Sequence, residues 1–334
     1  MRRLTPLLLL AVALALPACG GSQDPDPVEQ LPADTGVRES VRAATQSEAA
    51  DFPDASSRTL QEVADSLDGT GPEAVLASSV FTVGSNRLAF GEIDGKTNAF
   101  VYGKTAVYIA RSPEDEAQGP FPAPVDLLLT KPAFRSRQAA TENDLFAGVY
   151  AAEVSFDEPG TWTVLTVTDV GGKLIGSPLS VPVIRPGKDA VPRVGERAPS
   201  VETDTVATAR GDVEAIDTRV PPTDMHERSF ADVVGKKPVA LLFATPQLCQ
   251  SRVCGPVVDV AAQLKAEYGD RVEFIHQEVY EGNEVDKGLR EPLKRFNLPS
   301  EPWLFVVGKD GRVTSRLEGS FGLKAFESAL KTAL

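Results

Sequence analysis

The sequence is sparing with the residues that carry most metal and nucleophile chemistry. Its 334 residues include three cysteines, two histidines, two methionines and two tryptophans. Three cysteines cannot build a dense disulfide scaffold, and with two histidines they are too few for a self-contained zinc cluster. Cations are outnumbered: 34 Lys and Arg face 47 Asp and Glu, leaving a net charge of -13. That balance excludes a nucleic-acid or anionic-membrane surface, because both need clustered positive charge. No apolar run approaches the roughly 20 residues that span a bilayer. No phosphate-cradling Gly-rich loop and no nucleophile elbow is present, so phosphoryl transfer and Ser–His–Asp hydrolysis have no motif to rest on. What remains is an ordinary globular composition, 42% hydrophobic and 24% charged. At about 100–200 residues per domain, this length suggests two domains.

The first residues set the compartment. Arg2 and Arg3 precede an unbroken apolar run of ten at 7–16, and Leu16-Pro17-Ala18-Cys19-Gly20 closes it. A basic start, a short apolar core and small residues at its end are the parts of a secretory signal. The closing residues resemble the bacterial lipoprotein signal, with an aliphatic residue three before the cysteine and a small one just before it. The resemblance implies a signal peptide over 1–18 and a mature chain lipidated on Cys19, anchored at the outer face of a bacterial cell membrane. Each buried methylene of such an anchor contributes about 0.8 kcal/mol. The alternative is an ordinary cleavable signal with an incidental cysteine. With Cys19 acylated, Cys249 and Cys254 are the two cysteines left, in a compartment where such a pair can oxidise.

Composition then divides the chain. Residues 19–79 are polar and rich in Asp, Glu, Ala, Ser and Pro, which reads as a tether, with a short helix possible where Leu60, Val63, Ala64 and Leu67 recur at helical spacing. Residues 80–184 carry short β-rich runs at 87–90, 99–101, 106–110, 125–129, 148–156, 160–168 and 179–183, separated by Gly, Pro, Asp and Asn. About seven short strands in about 100 residues suggest an independent immunoglobulin-like β-sandwich with no active site. Residues 185–204 form a Pro-rich linker. Residues 205–334 read as α/β: apolar strands at 239–243, 271–280, 303–307 and 311–317, with helices at 255–268, 287–296 and 323–334. The expected fold is therefore multidomain, a β-sandwich followed by an α/β domain whose element order is that of thioredoxin.

Two stretches give the α/β part a family. Strand 239–243 runs into Ala244-Thr245-Pro246-Gln247-Leu248-Cys249 and then Cys254-Gly255-Pro256; later come Glu301-Pro302-Trp303 and the turn Lys309-Asp310-Gly311. This resembles the membrane-tethered thiol–disulfide oxidoreductases of the thioredoxin superfamily. In them two cysteines sit where the first strand meets its helix, and a cis-proline precedes the third strand. The resemblance implies that Cys249 attacks, that Cys254 resolves the mixed disulfide, and that Pro302 helps hold an extended substrate. It implies protein thiols or disulfides outside the cytoplasm as partners, and no cofactor or metal. A helix N-terminus favours the thiolate form through its unpaired N–H groups and dipole, and Arg252 adds positive potential. The chain departs from the family in three ways. Four residues separate the cysteines instead of two, Leu248 replaces an aromatic residue, and 239–243 lacks the usual buried acid.

Three other readings share these residues. Val194-Gly195-Glu196-Arg197-Ala198-Pro199 and Thr245-Pro246 resemble peroxiredoxins, which would make the pair a thiol peroxidase. The disulfide could instead be a structural closure on a non-catalytic binding module. Copper chaperones on this fold use two cysteines and a histidine far downstream; His276, mid-strand, and His226, in the loop before, do not match that position. Each histidine reads as a packing or surface residue.

Overall fold

The computed structural model describes residues 27–334 apart from 32, 34–35, 70, 138–146 and 250–253. Cys19 and Arg252 lie outside the described residues, as does the whole of 1–26.

Nine strands come first: β1 (Glu73–Leu76), β2 (Phe81–Thr82), β3 (Gly84–Ile93), β4 (Thr105–Ala110), β5 (Gln118–Pro122), β6 (Val125–Leu127), β7 (Gly148–Phe156), β8 (Gly160–Asp169) and β9 (Leu174–Ile184). They form two sheets, ordered β1-β3-β7-β6 and β2-β9-β8-β4-β5. Alternation in β7 buries Ala152, Val154 and Phe156 and leaves Glu153 and Ser155 outside, the period of two that places one face on a core. Between the sheets, Phe90 stacks on Tyr150 at 5.6 Å and Phe156 tilts against Trp162 at 5.1 Å. The turn from β7 to β8 is Asp157-Glu158-Pro159-Gly160, and Gly160 takes a φ of +128° that other residues rarely adopt. The run expected as a strand at 99–101 contributes only an isolated bridge, Ile93 to Phe100. β5 was missed because Pro120 and Pro122 interrupt it; it pairs with β4 alone, an edge position where a missing N–H is tolerated.

The polar stretch before the sandwich is a correction to the expected tether. It forms α1 (Val37–Ala44), α2 (Leu60–Asp65) and the edge strand β1. Val28, Leu31, Val41 and Ala44 join the core between the sheets. Phe52, Ala55, Leu60 and Val63 cover the outer face of the second sheet, against Ala106, Tyr108 and Ala110. That cover explains why β4 is buried on both faces. A reciprocal cap starts α2: Thr59 Oγ1 accepts from the Glu62 amide at 3.1 Å, and Glu62 accepts from the Thr59 amide at 2.8 Å. Few apolar residues are involved, so composition hides them; their spacing, not their number, docks the segment.

The second part holds α3 (Phe230–Val233), β10 (Val239–Phe243), α4 (Cys254–Tyr268), β11 (Glu273–Gln277), α5 (Glu291–Arg295), β12 (Trp303–Val307), β13 (Val313–Glu318) and α6 (Leu323–Lys331). From β10 onward this is the expected order: strand, helix, strand, helix, strand, strand, helix. The sheet runs β11-β10-β12-β13, with β10 parallel to β11 and antiparallel to β12. β10 and β12 are buried along their whole length, which explains their unbroken apolar sequences. The Pro-rich stretch 185–204 is packed rather than free: Val191, Ala198 and Val201 enter the core under this sheet, and the Gly195 amide donates to Val313 at 2.8 Å. Among the described residues no helix is long and apolar enough to cross a membrane.

The cores of the two parts are continuous, so the sandwich is not an independent body. Ala89 and Val149 of the first sheet, with Leu128 and Ala147 at the ends of β6 and β7, pack with Val257 and Ala261 of α4 and Phe321 and Phe326 around α6. Polar contacts stitch the same boundary. The N-cap of α6, Gly322, has no side chain, and the cap comes from Asp126 on β6: Oδ2 accepts from the Gly322 and Ala325 amides at 2.8 and 3.1 Å, and Oδ1 from Lys324 at 3.3 Å. Arg87 donates to the Ser320 carbonyl at 3.0 Å. Glu318 accepts from the Ser79 and Val80 amides, both at 2.9 Å.

Candidate redox site

β10 ends at Phe243, and Ala244 to Cys249 carry the chain to the head of α4. Cys249 and Cys254 are joined as a disulfide with Cα atoms 6.1 Å apart. Cys254 is the first residue of α4 and is fully buried. Cys249 is half-buried and packs on the edge of the same core. The two cysteines thus differ in exposure, Cys249 partly open and Cys254 sealed. The approach loop is pinned from the side: the Gln247 amide donates to Thr218 Oγ1 at 3.2 Å, and the Gln247 side chain donates to the Thr218 carbonyl. One turn into α4, buried Asp259 accepts from Arg219 Nε at 2.7 Å and from the Ser136 amide at 2.9 Å.

Pro302 is placed by register. Phe243 pairs with Trp303 across the antiparallel β10–β12 ladder, so Pro302 sits at the sheet end where Ala244 departs for the disulfide loop. The Glu301–Pro302 bond is cis. Pro302 lines a cavity of about 470 Å³ whose other wall is the sandwich, with Val75, Ala77 and Phe100 among its lining. The Gly319 amide donates to the Pro302 carbonyl at 2.9 Å. Ser300 donates to Glu318 at 2.9 Å, the same carboxylate that holds Ser79 and Val80. Gly319 makes the close approach possible: its φ is +73°, and a Cβ there would lie 1.9 Å from the Ala77 carbonyl oxygen. Glu301 lines the same cavity; burial pushes its carboxyl above the usual range, and Tyr280 donates to it at 3.2 Å.

Sequence reasoning missed a second cluster. Neither histidine is a surface residue. His226 and His276 are both fully buried and meet Asp217. Asp217 Oδ2 lies 3.1 Å from His226 Nε2 and 3.6 Å from His276 Nδ1, and the two ring nitrogens are 3.3 Å apart. His276 Nε2 is 2.9 Å from the Ala244 carbonyl. Burial disfavours the charge on His276, but Asp217, Glu278 and the Ala244 carbonyl together outweigh it and raise the imidazole above its ordinary value. Glu278, also fully buried, accepts from the Thr218 amide at 2.8 Å. The available signal was that the only two histidines flank the cysteine loop in sequence; nothing marked Asp217.

No family model matches the chain, and no curated protein matches it. Among solved structures, a thiol:disulfide interchange protein of the thioredoxin family from Chlorobium tepidum TLS is 19% identical, with a TM-score of 0.28, over 42% of this chain and 97% of that one. A protein provisionally assigned as the thiol:disulfide interchange protein DsbE of Chlorobium tepidum is 14% identical, with a TM-score of 0.31, over 42% of this chain and 98% of that one. The PKD domain of the human VPS10 domain-containing receptor SorCS2 is 12% identical, with a TM-score of 0.18, over 36% of this chain and 79% of that one. These are distant likenesses of fold. The thioredoxin-like character of the second part rests on its strand order and register.

Proposed function

We propose that this protein exchanges disulfides with partner proteins through Cys249 and Cys254. The observation that carries the reading is the disulfide at the strand-to-helix junction, with Cys249 partly open and Cys254 sealed at the head of a fifteen-residue helix. In the reduced protein the Cys249 thiolate attacks a partner disulfide, forming a mixed disulfide and releasing one partner thiolate, which takes a proton. The Cys254 thiolate then attacks the Cys249 sulfur, restores the intramolecular disulfide and releases the second partner thiol. The reverse sequence oxidises a partner dithiol. Pro302 and the cavity beside it offer an extended partner segment a wall at the same sheet end. The setting we propose is the outer face of a bacterial membrane, with Cys19 as the lipid anchor.

The test uses the chain without its signal residues, reduced and desalted. Thiol loss is followed with a model disulfide and, separately, with hydrogen peroxide. Exchange faster than free cysteine, with Cys254→Ser trapping a mixed disulfide at Cys249, is the expected result. Selective consumption of peroxide would instead make the protein a thiol peroxidase. Reaction with neither, or a reduction potential below about -300 mV, would make the bridge structural. The anchor is tested separately: Cys19→Ala should release the protein from the membrane fraction.

A further inference from the structure

We propose that Asp217, His226 and His276 form a buried site for a divalent metal ion, zinc by the chemistry of its donors, which ties the 217–226 loop to β11 behind the disulfide loop. The donor triangle carries the argument. Asp217 Oδ2, His226 Nε2 and His276 Nδ1 stand 3.1, 3.3 and 3.6 Å apart. A tetrahedral ion with bonds of about 2.0–2.1 Å requires donor separations of about 3.3 Å, whereas a right-angled octahedral face requires about 3.0 Å. The observed triangle averages close to the tetrahedral value.

Proton placement points the same way. With its Nε2–H donated to the Ala244 carbonyl, His276 offers its Nδ1 lone pair to a cation once that nitrogen carries no proton. Asp217 Oδ2 and His226 Nε2 face the same point. A cation serves all three donor atoms at once. The surrounding bonds are those that orient ligands: Asp217 Oδ1 accepts from the Arg219 amide at 2.9 Å, and Oδ2 accepts from the Thr223 amide and hydroxyl at 2.7 and 2.8 Å. Charge also balances. Asp217 and Glu278 are both buried, and among the described residues no lysine or arginine pairs with either carboxylate. Two histidines and a carboxylate suit zinc, leaving one position for a non-protein ligand. The sulfurs are not needed as ligands, because they are bonded to each other.

The experiment uses the full mature chain with its disulfide intact. The protein is stripped with a chelator, desalted and titrated with cobalt(II), and zinc content is measured by mass spectrometry after reloading. One equivalent per chain is expected. The ligand-field bands should be those of four-coordinate cobalt, without cobalt–thiolate charge transfer. The Cys249→Ser/Cys254→Ser double variant should keep the site. Asp217→Asn and His226→Gln should each weaken binding at least about tenfold. Zinc should raise the melting temperature of the wild type. No retained metal and no cobalt spectrum in the wild type would overturn the proposal, as would unchanged binding in both ligand variants. If the variants fail to fold, the wild-type stoichiometry and spectrum still decide it.

Discussion

Asp126→Ala tests whether the two parts of the molecule stand or fall together. The carboxylate accepts two well-placed bonds from the start of α6, at 2.8 and 3.1 Å, and a longer one at 3.3 Å. Hydrogen bonds to a charged group contribute about 1.5–3 kcal/mol each, so the two short ones set a range of about 3–6 kcal/mol. The lower end applies, because burial pushes this carboxyl upward and so charges its desolvation against the gain. Removing it also leaves Arg87 with Glu153 as its remaining nearby carboxylate. The expected loss is about 3 kcal/mol, or roughly 4–5 °C in melting temperature for a chain of this length unfolding as one body. The two tryptophans report separately: Trp162 is buried in the sandwich and Trp303 in the β11-β10-β12-β13 sheet. Denaturant unfolding of Trp162→Phe and Trp303→Phe backgrounds should show both reporters moving to the same lower midpoint with Asp126→Ala. Asp126→Asn keeps one oxygen acceptor and should lose less. A loss under about 0.5 kcal/mol, or a shift at Trp303 alone, would refute the coupling.

Glu92 should give the fold an acid preference. Burial pushes its carboxyl up from an ordinary 4.5 to about 7, despite the Thr166 hydroxyl donating to it. The folded state then holds a proton that the unfolded chain has released. Stability from this group is present below about pH 4.5 and falls by about 3 kcal/mol as pH rises through 7. Glu92→Gln should flatten that slope in denaturation curves from pH 5 to 8; an unchanged slope would show the group is not responsible. Gly319→Ala places a Cβ 1.9 Å from the Ala77 oxygen at a φ of +73°, and should cost about 3 kcal/mol or more in chemical denaturation. Leu60→Ala removes a buried contact with the second sheet and should cost about 2–3 kcal/mol, whereas a free tether would give no change.

The parts legible in the sequence were those where one signal repeats along the chain. β10 and β12 are central, buried on both faces, and therefore written as unbroken apolar runs. β7 and β8 announce themselves by alternation and a turn between them. The cysteine pair stood out by being the only one left once Cys19 was set aside. The segment 27–66 was opaque because its contribution rests on a few residues such as Val41, Leu60 and Val63 in a polar background. The shared core was opaque for another reason. Ala89 and Val149 look like ordinary strand residues, and only the docking of α4 and α6 makes them interfacial. Asp217 was invisible because its partners lie nine and fifty-nine positions away, and a buried aspartate carries no local pattern.

The scarcity of histidine turns the buried cluster into a spectroscopic window. Both imidazoles of the chain sit in it, 5.1 Å apart between ring centres. In a sample labelled only on histidine, every imidazole resonance therefore comes from this one place, without assignment and without mutation. His276 is hydrogen-bonded to Ala244, the residue that opens the disulfide loop. Reducing and reoxidising the protein while watching two ring signals would therefore register, from inside the core, whether the loop's state is felt one residue behind it.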